Sequence, residues 1–476
     1  QTVQYKFWVR HSKYDKDDVS DFAGRPATII INNPRGEKVQ EKAVTLDEFG
    51  GIDGNLELPP DAMLGVYNLN LQIGDRSYGG NSFRVEEYKK PEFEVTVDSP
   101  SEPVMLGETI TATVDARYYF GEPVVHGKVK YTVKRTPHNE RWYPVHPWDW
   151  FYGQGYWWFG CDSPWYPGWR HWGCPRPYPF WYPSRSTPPE VVAEQAVDIG
   201  EDGKIEIEFD TALALEMHPD LDHKYEITVE VTDQSRRTIV GSGEVLVARK
   251  PFKVHAWTDR GYYRAGDVIQ PEFQARTLDG RPVEGTGEVV VYGFRLQEDG
   301  ELFEAPLWRR DLNTDAEGHA DLKVTAAAAG QYRIAYTLTD SKGHEIEGAS
   351  LFTVYGDDVD TDSYRYNDLE LVLDKAEYAP GDTAKLMINT NRKNGTVLLF
   401  VRPTNGVYLP PEVIRLRGKN TVYKFEVGQK DMPNFFVEAV TISDGRVHTE
   451  VQQICVPPEK RVLNVEVIPS ADTYLP

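Results

Sequence analysis

The sequence predicts an all-β protein made of tandem antiparallel β-sandwiches with seven strands each. Three features of the 476 residues indicate this fold: a recurring turn-and-strand phrase, alternation of apolar and polar residues behind it, and no helical pattern longer than about a dozen residues. A parallel α/β fold would need crossover helices, for which the sequence offers no segments. We therefore expect sandwiches of the fibronectin type III or immunoglobulin kind, strung as beads.

The recurring phrase consists of one residue, two spacers, glycine, an acid and an alternating apolar run. It occurs as VMLGETITATV from Val104, YRAGDVIQPEF from Tyr263 and YAPGDTAKLMI from Tyr378. Glycine accepts the backbone conformation that a tight turn needs, and the alternation marks a half-buried strand. A second turn glycine follows the first two phrases, at Gly121 and Gly280. The alternation predicts these core residues: Val95, Val97, Ile205, Ile207, Phe209, Ile227, Val229, Val231, Leu386 and Ile388.

The signature glycines, at positions 107, 266 and 381, divide the chain into units of about one hundred residues once an insertion is set aside. We expect a first domain, with a truncated first strand, at residues 1–90. Three further domains are expected at 91–250, 251–358 and 359–458, and the start of another at 459–476.

Both chain ends look like parts of the same turn. The last residues, TYLP, repeat the beginning of EYAPGD at Glu377–Asp382, and the first residues, QTVQYKFWV, align with the strand that follows the phrase. We therefore expect the chain to be an excerpt of a longer array.

Composition excludes several classes of function. The net charge of −22 opposes binding to nucleic acid and to anionic membranes, because both need a basic face. No run of 18 apolar residues is present, so we expect no segment that spans a membrane. The sequence contains no nucleophile elbow, phosphate loop or His-Glu-x-x-His motif. We expect neither an enzyme nor a cofactor or metal site.

The second unit carries an aromatic insertion at residues 138–189, which hold 9 of the chain's 12 tryptophans, 18 aromatic residues and 10 prolines. Each aromatic side chain presents about 150–250 Å², whereas the largest apolar patch of a soluble monomer is about 300–600 Å². The segment must therefore collapse on itself, pack on neighbouring sandwiches or meet a partner. Its prolines exclude an inner strand or a long helix.

Two interpretations of the aromatic insertion remain open. It is either a structural plug between domains or a ligand surface, because tryptophan faces stack on sugar rings and proline-rich peptides. The candidate surface residues are tryptophans: Trp148, Trp150, Trp157, Trp158, Trp165, Trp169, Trp172 and Trp181. Cys161 and Cys174 could form a disulfide closing a loop of about 14 residues, which would add roughly 3 kcal/mol in an oxidising compartment. Cys455 has no evident mate.

Four shorter motifs allow both a functional and an ordinary interpretation. HPDLDH (His218–His223) has metal-binding residue types, but it lacks tetrahedral spacing, which favours a polar turn. GDDVDTDS (Gly356–Ser363) could hold calcium, but it lacks the EF-hand spacing, which favours an acidic hinge. DQSRRT (Asp233–Thr238) predicts a hairpin turn whose arginines pair locally or across a domain interface. NGT at Asn394 is a glycosylation sequon only in a eukaryotic protein.

Longer phrases resemble a known family. The chain is similar to the N-terminal half of α2-macroglobulin-like proteins, particularly bacterial ones, in FAGRPATIIINNPRGEKV, LGVYNLNL, FRVEEYKKPEFEVTV, YYFGEPVVHGKVKYTV, GYYRAGDVI and EYAPGDTAKL. The resemblance covers the chain apart from the aromatic insertion. It implies macroglobulin-like domains, which are seven-stranded sandwiches. These would be the second to fifth of the array, with the sixth beginning at residues 462–476.

The resemblance implies a scaffold fragment of a protease inhibitor. In that family a protease cuts a bait segment, the molecule rearranges, and a thioester within a Cys-Gly-Glu-Gln motif can capture the protease. The three cysteines here are followed by Asp162, Pro175 and Val456, so the thioester motif is absent from this sequence. We expect the bait region to be missing as well.

The resemblance also implies partners and a location. The expected partners are target proteases, met through the full-length parent, and the remaining domains of the same chain. The expected location is extracellular or periplasmic. The alternative is a surface adhesin or carbohydrate-binding protein that uses the aromatic insertion.

Overall fold

The computed structural model describes residues 1–11, 20–86, 92–138, 141–160, 163–169, 172, 187–356, 360–403, 408–459 and 462. The chain divides into two compact units, Gln1–Pro91 and Glu92–Pro476. The described residues form mostly antiparallel sheets around four separate hydrophobic cores. The all-β prediction is confirmed, while the predicted domain limits remain predictions.

The first unit is a sandwich with a four-stranded and a two-stranded sheet. Its described strands are β1 (Thr2–Trp8), β2 (Pro26–Asn32), β3 (Lys38–Thr45), β4 (Gly51–Glu57), β5 (Gly65–Ile73) and β6 (Arg76–Val85). β1 pairs with β4, and the other sheet has the order β3-β2-β5-β6. Alternate residues of the two central strands are buried, Ile29 and Ile31 in β2 and Leu69 and Leu71 in β5, because successive side chains of a strand point to opposite faces.

The second sandwich, at the start of the second unit, carries the aromatic insertion. Its strands are β7 (Phe93–Asp98), β8 (Val104–Met105), β9 (Thr109–Tyr118), β10 (Lys128–His138), β11 (Glu190–Asp198), β12 (Lys204–Asp210), β13 (Asp222–Thr232) and β14 (Thr238–Ala248). The sheets have the orders β11-β10-β13-β14-β8 and β12-β9-β7. A helix, α1 (Asp149–Tyr152), lies in the insertion, and α2 (Ala212–Met217) precedes β13.

The third sandwich follows directly. Its strands are β15 (Lys253–Thr258), β16 (Tyr262–Arg264), β17 (Val268–Ile269), β18 (Pro271–Arg276), β19 (Gly285–Leu296), β20 (Leu302–Asp311), β21 (His319–Asp321), β22 (Val324–Thr325), β23 (Gly330–Asp340) and β24 (Glu345–Tyr355). The main sheets have the orders β15-β18-β21 and β16-β24-β23-β19-β20, and β17 pairs with β22.

The fourth sandwich has seven described strands, as the fold class predicts. They are β25 (Glu370–Leu373), β26 (Thr383–Asn389), β27 (Thr396–Arg402), β28 (Glu412–Arg415), β29 (Asn420–Glu426), β30 (Asn434–Ser443) and β31 (Arg446–Cys455). The sheets have the orders β25-β26-β29 and β28-β27-β30-β31. A single 3-10 turn, Gln429–Asp431, precedes β30.

The core residues predicted from alternation lie inside these sandwiches. Seven are buried: Ile207, Phe209, Ile227, Val229, Val231, Leu386 and Ile388. Val95, Val97 and Ile205 are partly buried against the second core. The period-2 pattern therefore identified the inward face correctly in the strands that carry these residues, β7, β12, β13 and β26.

The signature glycines adopt the backbone conformation that the phrase predicts. Gly107, Gly266 and Gly381 have φ of +103°, +91° and +100°, a region that side chains disfavour. The acid after each glycine supports the turn, since Glu108, Asp267 and Asp382 accept backbone N–H bonds at 3.1, 3.0 and 3.3 Å.

The last two signature turns share a tyrosine–aspartate contact. The hydroxyl of Tyr263 donates to Asp259 at 2.5 Å, and that of Tyr378 donates to Asp374 at 2.8 Å. Each aspartate lies four residues before its tyrosine and also accepts a backbone N–H from a residue after the turn, Gln270 or Lys385. The repeated phrase is therefore a repeated hydrogen-bonded corner.

The DQSRRT motif forms the predicted hairpin between β13 and β14. The N–H of Arg236 donates to the Asp233 carbonyl at 3.0 Å, and Arg237 forms an ion pair with Glu92. At Asn394 the chain turns with φ of +54° on an exposed surface.

Candidate functional site: the aromatic insertion

The aromatic insertion leaves the second sandwich after β10 and returns at β11. Its described residues contact the third and fourth sandwiches, so it connects three domains of the second unit. Cys161, Cys174 and Trp181 lie outside the described residues, and the disulfide stays a prediction.

A first aromatic cluster joins the insertion to β15. Tyr143 and Trp158 of the insertion are buried with Trp257 of the third sandwich, and Trp142 and Trp157 pack against them. The ring centroids of Trp158 and Trp257 are 5.6 Å apart, within the range for favourable aromatic pairs. Burial of these rings satisfies the requirement that so much apolar area be covered.

A second aromatic cluster covers the outer face of the five-stranded sheet in the third sandwich. Tyr166 and Trp172 are buried against Phe294, Ala335 and Ala349. The small side chains of the two alanines leave room for the large rings, and the insertion thus covers a sheet face that would otherwise be apolar and exposed.

A buried arginine anchors the second cluster. Arg333 donates to Glu304 and Glu347 at 2.7 Å each, and its guanidinium lies 5.7 Å from the ring centroid of Trp172 and 4.5 Å from that of Tyr292. Burial alone would lower the pKa of Arg333, but the two carboxylates outweigh it and raise the pKa. The cation is therefore held firmly beneath the rings.

The insertion also hydrogen-bonds to the fourth sandwich. The Tyr152 hydroxyl donates to the Pro433 carbonyl at 2.6 Å, and Tyr156 donates to Glu377. His146 Nδ1 lies 3.0 Å from the same carboxylate. Burial, and then the bond to Glu377, raise the pKa of Tyr156, so this hydroxyl stays protonated.

The linker, defined here as described residues 360–369, is held between the third and fourth sandwiches. Gln331 of β23 forms two hydrogen bonds with the backbone of Arg365, at 2.8 and 2.7 Å. On the other side Lys419 donates to the Tyr364 carbonyl at 2.5 Å. The guanidinium of Arg365 lies 5.2 Å from the ring centroid of Trp165, which ties the linker to the insertion.

The acidic motif before and within the linker pairs with lysine. Asp362 forms an ion pair with Lys393, which lowers the pKa of Asp362, the hydrogen bond from Lys393 being the largest cause. Asp357 and Asp358 lie outside the described residues. The hinge interpretation and the calcium alternative both stay predictions.

A cavity of about 880 Å³ lies where the insertion, the linker and the two sandwiches meet. Its walls combine aromatic side chains, such as Trp157, Trp165 and Phe294, with polar ones, such as Gln331 and Asn389. The size is within the range of ligand pockets.

The predicted surface tryptophans differ widely in exposure. Trp158 and Trp172 are buried, with exposed fractions of 6% and 3%. Trp148, Trp157, Trp165 and Trp169 are half-buried, and Trp150 is 66% exposed. The ligand-surface prediction stays untested, and in this conformation it can apply chiefly to Trp150 and its neighbour Trp148, whose ring centroids are 5.9 Å apart.

The two histidines of HPDLDH lie near each other, with ring centroids 6.2 Å apart. Asp222 pairs with Lys253 at 2.7 Å, while His223 is fully buried in the second sandwich. Over the described ranges, no group of three or more His, Cys, Asp or Glu side chains could hold a metal ion. Cys455 is a free, buried thiol, and burial raises its pKa, which disfavours the reactive thiolate.

Three family models match the chain in succession. They are the MG2 domain at residues 1–85, the macroglobulin domain MG3 at 87–145 and the α2-macroglobulin bait region domain at 369–476. These matches show that the chain is an α2-macroglobulin-like protein. Its array of macroglobulin domains, with the β-sandwich architecture described above, fits this assignment.

Curated relatives agree with the assignment. An α2-macroglobulin homolog of Nostoc sp. is 23% identical over 438 residues, covering 89% of this chain and 21% of the relative. The α2-macroglobulin of Ralstonia nicotianae is 24% identical over 464 residues, covering 93% and 25%. That of Thermotoga maritima is 32% identical over 125 residues, covering 26% and 8%. The chain thus spans a quarter or less of the length of these relatives.

A solved structure of the native conformation of the Escherichia coli α2-macroglobulin is also similar. It shares 15% sequence identity, with a TM-score of 0.41, over 96% of this α2-macroglobulin-like chain and 28% of that chain. Among the described residues no helix has the length and apolar character needed to cross a membrane.

The expectation that the bait region is missing was wrong, because the bait region domain model matches residues 369–476. The physical reason is that the described part of this stretch folds as an ordinary seven-stranded sandwich. Its alternating strands resemble those of the neighbouring domains, so sequence pattern alone did not distinguish it.

The residues that receive the insertion were not predicted from the sequence. Trp257, Phe294, Arg333 and Glu377 lie on separate strands and turns of two other sandwiches, and no spacing links them to residues 138–189. The one available signal was composition: 18 aromatic residues within positions 138–189 need a second surface to cover their apolar area.

Proposed function

We propose that this chain is part of the scaffold of an α2-macroglobulin-family inhibitor that traps endopeptidases. The observation that carries the proposal is the order of the matched domains, in which the bait region domain follows MG2 and MG3 along one chain. Trapping then belongs to the full-length protein, and the role of this part is to space and orient the segments that a protease meets.

The contacts of the insertion support a role in holding neighbouring domains together. In a trap, cleavage of one segment must move several domains together. Domains joined only by flexible linkers would not transmit that movement. Aromatic clusters on the third sandwich and hydrogen bonds to the fourth oppose independent motion of these two domains. The linker between them is held on both sides.

The proposed role is not catalytic. The partners are target proteases, reached through the full-length protein, and the other domains of that protein. The proposed location is extracellular or periplasmic, where such proteases are met.

Incubation of the full-length protein with an endopeptidase tests the proposal. An enclosed protease keeps its active site but excludes large molecules, so cleavage of a folded protein substrate should fall while cleavage of a short fluorogenic peptide persists. Equal loss of both activities would indicate active-site blockade, and loss of neither would indicate that nothing is trapped. Either result contradicts the proposal.

A second candidate function is glycan binding by the exposed part of the insertion. The observation that favours it is the ring group at α1, where Trp150 is 66% exposed and contacts Trp148 and Phe151. Such faces stack on sugar rings. Titration of intrinsic tryptophan fluorescence with neutral oligosaccharides should give a saturable response that Trp150→Ala removes. A response unchanged by that substitution would exclude this surface.

A further inference from the structure

The last strand of the fourth sandwich, β31, lies at the edge of its sheet, in the order β28-β27-β30-β31. It forms a hairpin with β30, and the two turn residues, Asp444 and Gly445, have φ of +50° and +72°. Positive φ at both positions is the geometry of a two-residue hairpin loop whose flanking residues are hydrogen-bonded to each other.

The hairpin fixes the direction of every backbone group along β31. Ser443 and Arg446 flank the turn and form the first pair, and hydrogen-bonded and non-hydrogen-bonded pairs then alternate. The backbone groups that point away from β30 therefore belong to every second residue: Val447, Thr449, Val451, Gln453 and Cys455.

Two hydrogen bonds agree with this assignment. The Cys455 carbonyl accepts the N–H of Tyr378 at 3.0 Å, where the chain after β25 passes the end of the strand. The Gln453 carbonyl accepts the side-chain amide of Gln452 at 3.0 Å. Both acceptors lie on the outward side of β31.

The remaining edge is open. Within the described part of the chain, the outward backbone groups of Val447, Thr449 and Val451 have no hydrogen-bond partner. The side chains of Val447 and Val451 are 66% and 41% exposed. Soluble proteins usually protect such an edge with lysine, proline or a covering segment, and among the residues that the structure describes none of these is at the three positions.

The corresponding edges of the second and third sandwiches are covered more fully. In the second, β14 pairs with β8 and the hydroxyl of Ser99 donates to the Glu244 carbonyl at 3.0 Å. In the third, β24 pairs with β16 over three residues. In the described part of the fourth, a bridge between Glu377 and Cys455 is the one pairing found at this edge.

The open edge runs along the cavity beside the insertion. Five consecutive residues of β31, 449–453, line the cavity together with Trp157, Trp165 and Phe294. A strand of five residues is about 17 Å long, so a segment of β31 of that length forms part of the cavity wall. The edge is thus continuous with the interface between insertion and sandwich.

We propose that the β31 edge binds an extended polypeptide segment as an added strand. Backbone groups of the segment hydrogen-bond to Val447, Thr449 and Val451, and its apolar side chains, on alternate residues, enter the aromatic cavity. This is β-strand addition, in which the main chain supplies affinity and pockets for alternate side chains supply specificity. The inference concerns a binding site and goes beyond the scaffold role.

Peptide binding to the purified chain tests the inference. The probe is a fluorescein-labelled, N-acetylated decapeptide that alternates valine with lysine, titrated at 0.15 M salt and followed by fluorescence anisotropy. Two matched peptides carry N-methyl groups, one on the valines and one on the lysines. Consecutive residues of a strand direct their N–H groups to opposite sides, so one methylated peptide should lose binding and the other should keep it. Equal binding of the two, or no binding of the parent peptide up to 1 mM, overturns the inference.

A protein variant provides an independent test. Val451→Pro removes one outward N–H that the β30–β31 ladder does not use, and proline is tolerated at strand edges. It should weaken binding about ten-fold or more, with the circular dichroism spectrum unchanged, whereas the matched Val451→Thr should remain within about three-fold. Unchanged affinity in Val451→Pro overturns the inference. So does dimerisation of the chain that this variant abolishes, since the edge would then belong to a second copy.

Discussion

Single residues explain why the repeat can be recognised in the sequence. Gly107, Gly266 and Gly381 occupy a positive-φ conformation, and the acid that follows each one binds a backbone N–H of the turn. A positive φ at one position selects glycine at that position, because only glycine adopts it without strain. These turns were therefore predictable from short phrases.

Substituting a signature glycine should destabilise the fourth sandwich. A Cβ at Gly381 would meet no atom within 4 Å. Gly381→Ala should therefore lower the free energy of unfolding by about 1–3 kcal/mol through backbone strain at φ of +100° alone. The matched control is Gly395→Ala in the same sandwich, whose φ is not positive and whose nearest contacts are 3.7 Å away. The free energy of unfolding of this control should stay within about 1 kcal/mol of that of the parent chain. Hydrogen exchange of β26 and β27 measures the difference, and equal protection in both variants would contradict the strain argument.

A buried histidine should make the second sandwich sensitive to acid. Burial is the main cause that lowers the pKa of His223, with Arg135 contributing; His218 and Asp222 also face the ring. The unfolded chain then binds a proton near pH 6.5 that the folded chain resists. The stabilisation is fully present above about pH 6.5 and is lost as the pH falls toward the lower pKa of the folded state.

Replacing this histidine tests the assignment. His223→Leu should flatten the loss of stability between pH 7.5 and pH 5, measured by urea unfolding with hydrogen exchange of β13 as the readout. His319→Gln, a partly exposed histidine of the third sandwich, serves as the control and should leave the pH profile unchanged. A profile that His223→Leu does not alter would show that another group governs it.

At the scale of elements, strands were predictable and the insertion was not. Each strand carries its own period-2 pattern, so its inward residues could be identified without knowing its partners. The path of residues 138–189 depends on surfaces of two other sandwiches, including Trp257 and Phe294. Contacts between distant segments leave no periodic signal, and only the need to cover apolar area was visible.

Two tryptophans of the insertion should differ sharply in their contribution. Trp158 is 6% exposed within the first aromatic cluster, so Trp158→Ala should lower the free energy of unfolding by about 3–5 kcal/mol. Trp150 is 66% exposed, and Trp150→Ala should cost less than about 0.5 kcal/mol. Thermal unfolding followed by tryptophan fluorescence compares them. Similar effects of the two substitutions would contradict the packing of the insertion described here.

At the scale of the whole molecule, the second unit holds three cores with an aromatic segment joining them. The tandem array and its family were predictable, since they rest on repeated phrases and their order. The bait region domain was missed, because its sandwich looks like its neighbours from sequence alone. The contacts that join the insertion to other sandwiches, such as that between His146 and Glu377, could be found only from the structure.

The central claim is that the insertion and the linker hold the third and fourth sandwiches together. Hydrogen exchange of residues 361–370 tests it most directly, because the Arg365 N–H is bonded to Gln331 at 2.7 Å and the Tyr364 N–H to Thr361 at 3.0 Å. These amides should be protected in the parent chain. Protection should fall in the double variant Trp158→Ala/Trp165→Ala and persist in Trp150→Ala. Fast exchange in the parent chain, or unchanged protection in the double variant, would contradict the account.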